Sequence, residues 1–192
     1  MPRPPSFADK PTLTGELVLL RPVQAADAAG LAAVDAETLR LTGSHLTASL
    51  AELERWYGSR AGHDDRIDLS IIDRATGQWA GEVVLNELDP HNRSCGFRIL
   101  LGSARARGRG LGTEATRLVL AHAFEQAGVH RVELEVYDFN PRARHVYTKV
   151  GFRHEGTKRH ALYWDGEWVD AHLMSILSSE WQAHRGHPAA AR

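Results

Sequence analysis

The chain has 192 residues, enough for one ordinary domain with a full core, and its 23 basic and 24 acidic side chains leave a formal net charge of -1. That balance excludes a general electrostatic pull towards nucleic acid or an anionic membrane, and no run approaches a membrane span or a signal sequence. Cys95 is the only cysteine, which excludes an intrachain disulfide and fits a cytoplasmic protein.

Residues 1–12 read as an irregular arm, 13–182 as one domain and 183–192 as a flexible tail. Leu17–Arg21, closed by Pro22, is a first strand. Asp27 starts an Ala-rich helix to about Leu39. Thr47 or Ser49 caps a second helix whose apolar face is Leu50, Leu53 and Trp56. Ile67–Asp73 and Trp79–Leu88 are strands around a turn at Ala75–Gly77, and Ser94–Leu101 is a fourth strand. Residues 105–113, Arg-Ala-Arg-Gly-Arg-Gly-Leu-Gly-Thr, then lead into a helix over Glu114–Ala127 with one apolar face and a stop at Gly128. Arg131–Val136 alternates as a strand, so strand, helix and strand make a βαβ unit with a parallel pair. Asn140-Pro141 caps a short helix ending near Gly151. Phe152–Ala161 and Trp168–Leu177 are two closing strands. The pattern predicts a mixed α/β (α+β) fold: one mostly antiparallel sheet of six or seven strands with about four helices.

Residues 105–113 are the chemically informative stretch. Glycines between a strand and a helix start let backbone amides approach a bound anion, and the helix's first turn adds its unpaired N–H groups. The stretch is not an ATPase P-loop, because no Gly-Lys-Ser/Thr follows. As a dinucleotide fingerprint, Gly108-Arg109-Gly110-Leu111-Gly112 brings its third glycine too early. Glu133 and Glu135 lie near the expected distance for a ribose contact, so the dinucleotide reading is weakened rather than excluded. The histidines form no His-Glu-x-x-His or Cys/His cluster, which argues against a metal, and no nucleophile elbow is present.

Arg107-Gly108-Arg109-Gly110-Leu111-Gly112 resembles the Arg/Gln-x-x-Gly-x-Gly/Ala motif of the GCN5-related N-acetyltransferases. Asn140-Pro141-Arg142-Ala143, Tyr147 and Gly151-Phe152 are similar to that family's Asn-x-x-Ala…Tyr…Gly-Phe segment. Glu155-Gly156, Arg159, Gly166, Asp170, Met174 and Trp181, with the opening Leu17–Asp27, resemble its RimJ/RimL-type branch. The resemblance covers roughly Leu17–Trp181 and implies a sheet splayed at the central parallel pair, with acetyl-CoA as co-substrate. It implies that pantetheine pairs with freed backbone at Ile99, Leu100 and Leu101. The amides of Gly108–Thr113, with Arg105, Arg107 and Arg109, would take the phosphates, and Asn140, Ala143 and Arg144 would contact CoA. By the same resemblance, Tyr147 meets the thioester sulfur and protonates the departing thiolate, and a homodimer is compatible.

The general base is open. An α-amine with pKa about 7.7–8.0 is roughly 10–15% neutral at pH 7, whereas an alkylamine near 10.4 is neutral about 0.04% of the time and needs a base or a desolvating site. Glu82 and Glu135 are the first base candidates, beside Glu87, Glu133, Asp138 and His172. The family's frequent Glu on the strand before the loop is absent from Gly96-Phe97-Arg98-Ile99. The expected activity is acetyl transfer to a primary amine, either a protein N-terminus or a small molecule. A polyamine- or antibiotic-modifying enzyme and a silent acyl-CoA-binding module are the alternatives.

Overall fold

The structure is a computed structural model and describes residues 4–185. Eight strands form one sheet in the order β1-β2-β3-β4-β5-β6-β8-β7. They are β1 Leu13–Thr14, β2 Val18–Pro22, β3 Ile67–Asp73, β4 Gln78–Asp89, β5 Ser94–Leu101, β6 Arg131–Tyr137, β7 Arg153–Trp164 and β8 Glu167–Leu177. Every neighbouring pair is antiparallel except β5–β6. The mixed, mostly antiparallel sheet expected from the sequence is present; the two-residue β1 adds a strand to it.

Six α-helices cover the sheet: α1 Ala28–Ala32, α2 Ala36–Thr42, α3 Leu50–Ser59, α4 Leu111–Ala121, α5 Pro141–Val150 and α6 Ser178–His184. The Ala-rich helix predicted from Asp27 to Leu39 is two helices. Asp35 divides them, because its carboxylate accepts the Thr38 amide at 2.7 Å and starts α2 as an N-cap. The predicted face of α3 also shifts. Leu53 and Tyr57 are buried and Leu50 is 46% exposed, so the inward pair is spaced by four residues rather than by threes. Helix α4 is followed by a π turn over His122–Gln126, and Gly128 at φ 76° ends it.

From Pro4 to Thr12 the arm is irregular, yet Phe7 is fully buried in the main core; residues 1–3 lie outside the described residues. Of the tail, residues 186–192 lie outside the described residues; Ala183 and His184 belong to α6. Among the described residues, no helix is long and apolar enough to cross a membrane.

The parallel pair positions the site. Strands β5 and β6 are in register only at Ser94–Arg131, Cys95–Val132 and Gly96–Glu133. Beyond Gly96 they part, and the backbone of Phe97–Leu101 on that side loses its neighbouring strand. Helix α4 packs across β2–β5, and its start is tied to the β1–β2 turn by Glu114. That carboxylate accepts the amides of Glu16, Leu17 and Val18, each at 2.8 Å. Cys95 is 2% exposed at the closed end of the pair, and burial pushes its thiol up to about 12. The thiolate is the reactive form, so a disulfide reagent is expected to titrate no thiol in the folded chain and one in denaturant. A rapid native reaction would show that the closed end of the sheet opens.

Candidate active site

Where β5 and β6 part, a groove of about 300 Å³ opens on the α4/α5 side. Ile99, Leu100 and Leu101 form one wall, Asn140, Ala143 and Tyr147 another, and Gly108, Gly110, Gly112 and Thr113 the floor at the α4 N-terminus. Gly108 and Gly110 have φ of 80° and 85°, in the left-handed region where glycine is favoured. Gly110 is the N-cap of α4 and has no side chain to cap the first turn, so those amides are left for a ligand. The floor is held rigidly by side chains from distant parts of the chain.

The same contacts reassign the loop's arginines. Arg107 lines the groove, but its guanidinium binds Asp35 at 2.9 and 3.1 Å, Thr38 Oγ1 at 2.6 Å and Glu37 at 2.5 Å. Arg107 in turn holds the Asp35 carboxyl far below the usual carboxylate range. Arg109 turns away to the buried carboxylate of Asp73, 2.5 Å distant. Arg105 is exposed and does not line the groove. Leu111 puts its side chain into the core, where it is 2% exposed. Arg144 contacts His172 Nε2 at 2.7 Å rather than the groove. The cation that sequence reasoning passed over is Arg142. A Cβ on Gly108 would lie 2.5 Å from its guanidinium, it lines the groove, and among the described residues it makes no ion pair. Its signal was legible as the third residue of Asn140-Pro141-Arg142-Ala143.

Asn140 joins two elements. Its Oδ1 accepts the Ala143 amide at 3.1 Å, capping α5, and its Nδ2 donates to Leu41 O at 3.3 Å. One cap therefore fixes α5 against α2 and orients Tyr147 two turns later. The Tyr147 ring packs edge-on to Phe97 with centroids 6.0 Å apart, and against Phe152 at 5.8 Å. Its hydroxyl makes no hydrogen bond among the described residues, and burial raises the phenol's pKa.

Through the gap in the sheet the groove meets a central cavity of about 100 Å³. The two share Ile99, Leu100, Asn140 and Tyr147. On its other side the central cavity adjoins a chamber of about 600 Å³, with Ser44, Phe97, Arg98, Glu135 and Tyr137 common to both. A passage thus runs through the splayed sheet, with Tyr147 at its middle.

The carboxylates sort clearly along this passage. Glu82 lines the central cavity, is 7% exposed, and accepts the Tyr57 hydroxyl at 2.5 Å. Burial raises its pKa. The residue before it has to be glycine, because a Cβ on Gly81 would lie 2.1 Å from Leu100 O. Glu135 also lines the passage but is paired with Lys158. Glu133 is paired with Arg131, and Arg131 brings Glu155 down to about 2. Asp138 and His172 pair with each other at 2.5 Å outside the three cavities. Glu87 lines the far chamber and is exposed.

A sheet opened at its one parallel pair, over glycines that begin a helix, defines a site for a long ligand with a phosphate-bearing end. The match to known proteins gives the class: residues 18–153 fit the acetyltransferase (GNAT) domain, and the chain belongs to that family. The spermidine N(1)-acetyltransferase of Escherichia coli (strain K12) is 29% identical over 124 residues, 65% of this chain and 66% of that protein. The chain thus spans just under two thirds of that relative's length. The putative ribosomal N-acetyltransferase YdaF of Bacillus subtilis (strain 168) is 30% identical over 109 residues, 57% of this chain and 59% of that protein. The crystal structure of a GCN5-related N-acetyltransferase from Brucella melitensis superposes with a TM-score of 0.79 at 27% identity, covering 96% of this chain and 86% of that one.

Proposed function

We propose that this chain is an N-acetyltransferase that moves acetyl from acetyl-CoA to a primary amine by direct attack within the splay. The observation that carries the reading is the passage through the sheet: a phosphate-suited groove and the central cavity share Tyr147, and the central cavity adjoins a polar chamber on its other side.

The residues fit the co-substrate. Gly108 and Gly110 leave the floor bare, the first-turn amides of α4 face it, and Arg142 stands over it without a partner among the described residues. The freed backbone of Phe97–Leu101 offers donors and acceptors to an amide-bearing arm. Bound there, acetyl-CoA supplies an activated acyl group as a thioester. The amine enters from the far chamber, its nitrogen forms the C–N bond, and the C–S bond breaks. Glu82 takes the nitrogen's proton; it is the acid of the central cavity with no ion-pair partner among the described residues, and the burial that raises its pKa makes its carboxylate a stronger proton acceptor than an exposed one. Tyr147 donates to the sulfur as charge develops there. Because burial raises the phenol's pKa above its ordinary value of about 10, full transfer to a thiolate of pKa near 8.5 is uphill, so hydrogen-bond donation is the role assigned to Tyr147.

The acceptor class is read from charge. In the far chamber Arg131 bonds both Glu133 and Glu155 and Lys158 pairs with Glu135; with Arg98, three cations stand against the four carboxylates of Glu87, Glu133, Glu135 and Glu155, so the lining is nearly balanced. A chamber so compensated is a weak trap for a polycation and suits the α-amine of a peptide, which needs little help to lose its proton. The likeness to spermidine acetyltransferases favours the second reading, a polyamine acceptor. Thiol release from acetyl-CoA over a panel of N-terminal peptides and polyamines decides. Peptides are expected to show kcat/KM at least about tenfold above spermidine, a difference of about 1.4 kcal/mol. The reverse order would assign a polyamine. Tight CoA binding with no release for any amine would make the chain a binding module.

A further inference from the structure

Tyr57 belongs to no cavity of the passage, yet its hydroxyl ends on Glu82, a carboxyl that lines the central cavity. We propose that Tyr57 is a positioning residue of the acetyl-transfer site, holding Glu82 by one oxygen and setting the pH at which that carboxyl becomes free to accept a proton. This rests on Glu82 as the base.

The geometry is specific. Tyr57 Oη donates to Glu82 Oε2 at 2.5 Å, and both side chains are buried. Oε1 accepts no hydrogen bond among the described residues and is the oxygen left for the nitrogen. The tyrosine ring is fixed in a small second core with Val23, Ala28, Leu31 and Leu53, apart from the main core. Helix α3, which carries it, is anchored at its start by the reciprocal cap between Ser49 and Glu52. A rigid donor in a dry setting restricts the carboxylate more than water would.

Of the other charged groups near the pair, Asp68 and Asp27 are compensated, whereas Arg98 and, just after α3, Arg60 have no ion-pair partner among the described residues and favour the charged carboxylate. From β3, Asp68 faces Glu82, but both its oxygens are bonded by Arg66 at 2.7 Å. Asp27 faces Tyr57 from the turn before α1, and Arg21 holds both its oxygens at 2.7 and 2.8 Å. From β5, Arg98 lies along the passage and favours the charged carboxylate. Burial favours the neutral acid, and the Tyr57 hydroxyl opposes burial. Removing that hydroxyl leaves burial with less opposition, so the carboxyl keeps its proton to higher pH.

The test compares wild type, Tyr57→Phe and Glu82→Gln, using a peptide α-amine and saturating acetyl-CoA. The amine's own titration, common to all three, lowers kcat/KM by one decade per pH unit below its pKa. Protonation of Glu82 adds a second break, and below both breaks the slope is two decades per pH unit. In Tyr57→Phe the second break is expected to move up by about 1–2 pH units, the shift that follows from losing one hydrogen bond to a charged group. Tyr57→Phe keeps the ring in the small core, and its thermal midpoint serves as the check on folding. The carbon-13 resonance of the Glu82 carboxyl, assigned by its absence in Glu82→Gln, is expected to titrate with the same upward shift. An unchanged Glu82 titration in folded Tyr57→Phe overturns the proposal. If Glu82→Gln keeps the second break, the assignment of the base fails instead, and the carbon-13 titration still decides whether Tyr57 governs Glu82.

Discussion

Tyr147→Phe is expected to lower kcat on the order of 10²-fold while changing the affinity for acetyl-CoA by less than about threefold. The substitution removes one oxygen and leaves the ring. Packing against Phe97 and Phe152 fixes that ring, so α5 and the groove wall should keep their places. The lost group is a donor at the central cavity with no hydrogen-bond partner among the described residues. Before reaction it is matched to a neutral thioester sulfur, a weak acceptor. As the C–S bond lengthens the sulfur gains charge, and the same donor becomes much stronger. A contact that strengthens only along the reaction coordinate appears in kcat rather than in binding. Steady-state rates with calorimetric titration of acetyl-CoA measure the two separately. Unchanged turnover would remove Tyr147 from the chemistry, and an equal loss of affinity would make it a wall of the groove.

The fold was legible where local pattern and tertiary context agree. The limits of β3 and β5 match the sequence reading residue for residue, because β3 is an alternating, β-branched stretch and β5 a mostly apolar run, each next to turn residues. Helix α4 and the Asn140 cap were legible too, since periodicity and capping are local signals, although α4 begins at Leu111, within the glycine stretch, rather than at the expected Glu114, and gives way to the π turn after Ala121. The departures have identifiable causes. Asp35 was a legible N-cap inside an Ala-rich run, and it outweighs helix propensity across residues 33–35. The loop arginines could not be sorted from sequence. Arg107 finds Asp35 from 72 residues away and Arg109 finds Asp73 from 36, and no local pattern carries those pairings. Two of the three arginines set aside for phosphates are thereby tied to carboxylates, while Arg142 stands over the floor. Ranking the base candidates had the same obstacle. Glu82 and Glu135 look alike in sequence, and only their neighbours differ: a tyrosine hydroxyl in one case, a lysine in the other. Tyr57 itself was hidden by taking Trp56, one position earlier, as the inward aromatic of α3.

Gly110→Val is expected to reduce acetyl-CoA affinity at least about 10²-fold, and the loss separates from backbone strain by an internal comparison. At φ 85° a β-branched residue is strained, at a cost of about 1–3 kcal/mol. Gly166, in the turn between β7 and β8, has a nearly identical φ of 87°, and a Cβ there would meet nothing within 4 Å. Gly166→Val therefore carries similar strain far from the groove and should lose similar stability with no change in acetyl-CoA affinity. At Gly110 the added atoms have two further consequences. The Cβ lies 3.1 Å from Leu17 Cδ1, a side-chain end that can give way. Gly110 itself lines the groove floor beside the first-turn amides of α4, so methyl groups added there are expected to hinder the close approach that direct hydrogen bonds from those amides to a phosphate need. Thermal midpoints of the two variants should thus be comparable while their acetyl-CoA dissociation constants differ by two orders of magnitude or more. If Gly110→Val binds acetyl-CoA as tightly as Gly166→Val does, the phosphates do not rest on this loop, and the groove has to be read with the ligand running the other way.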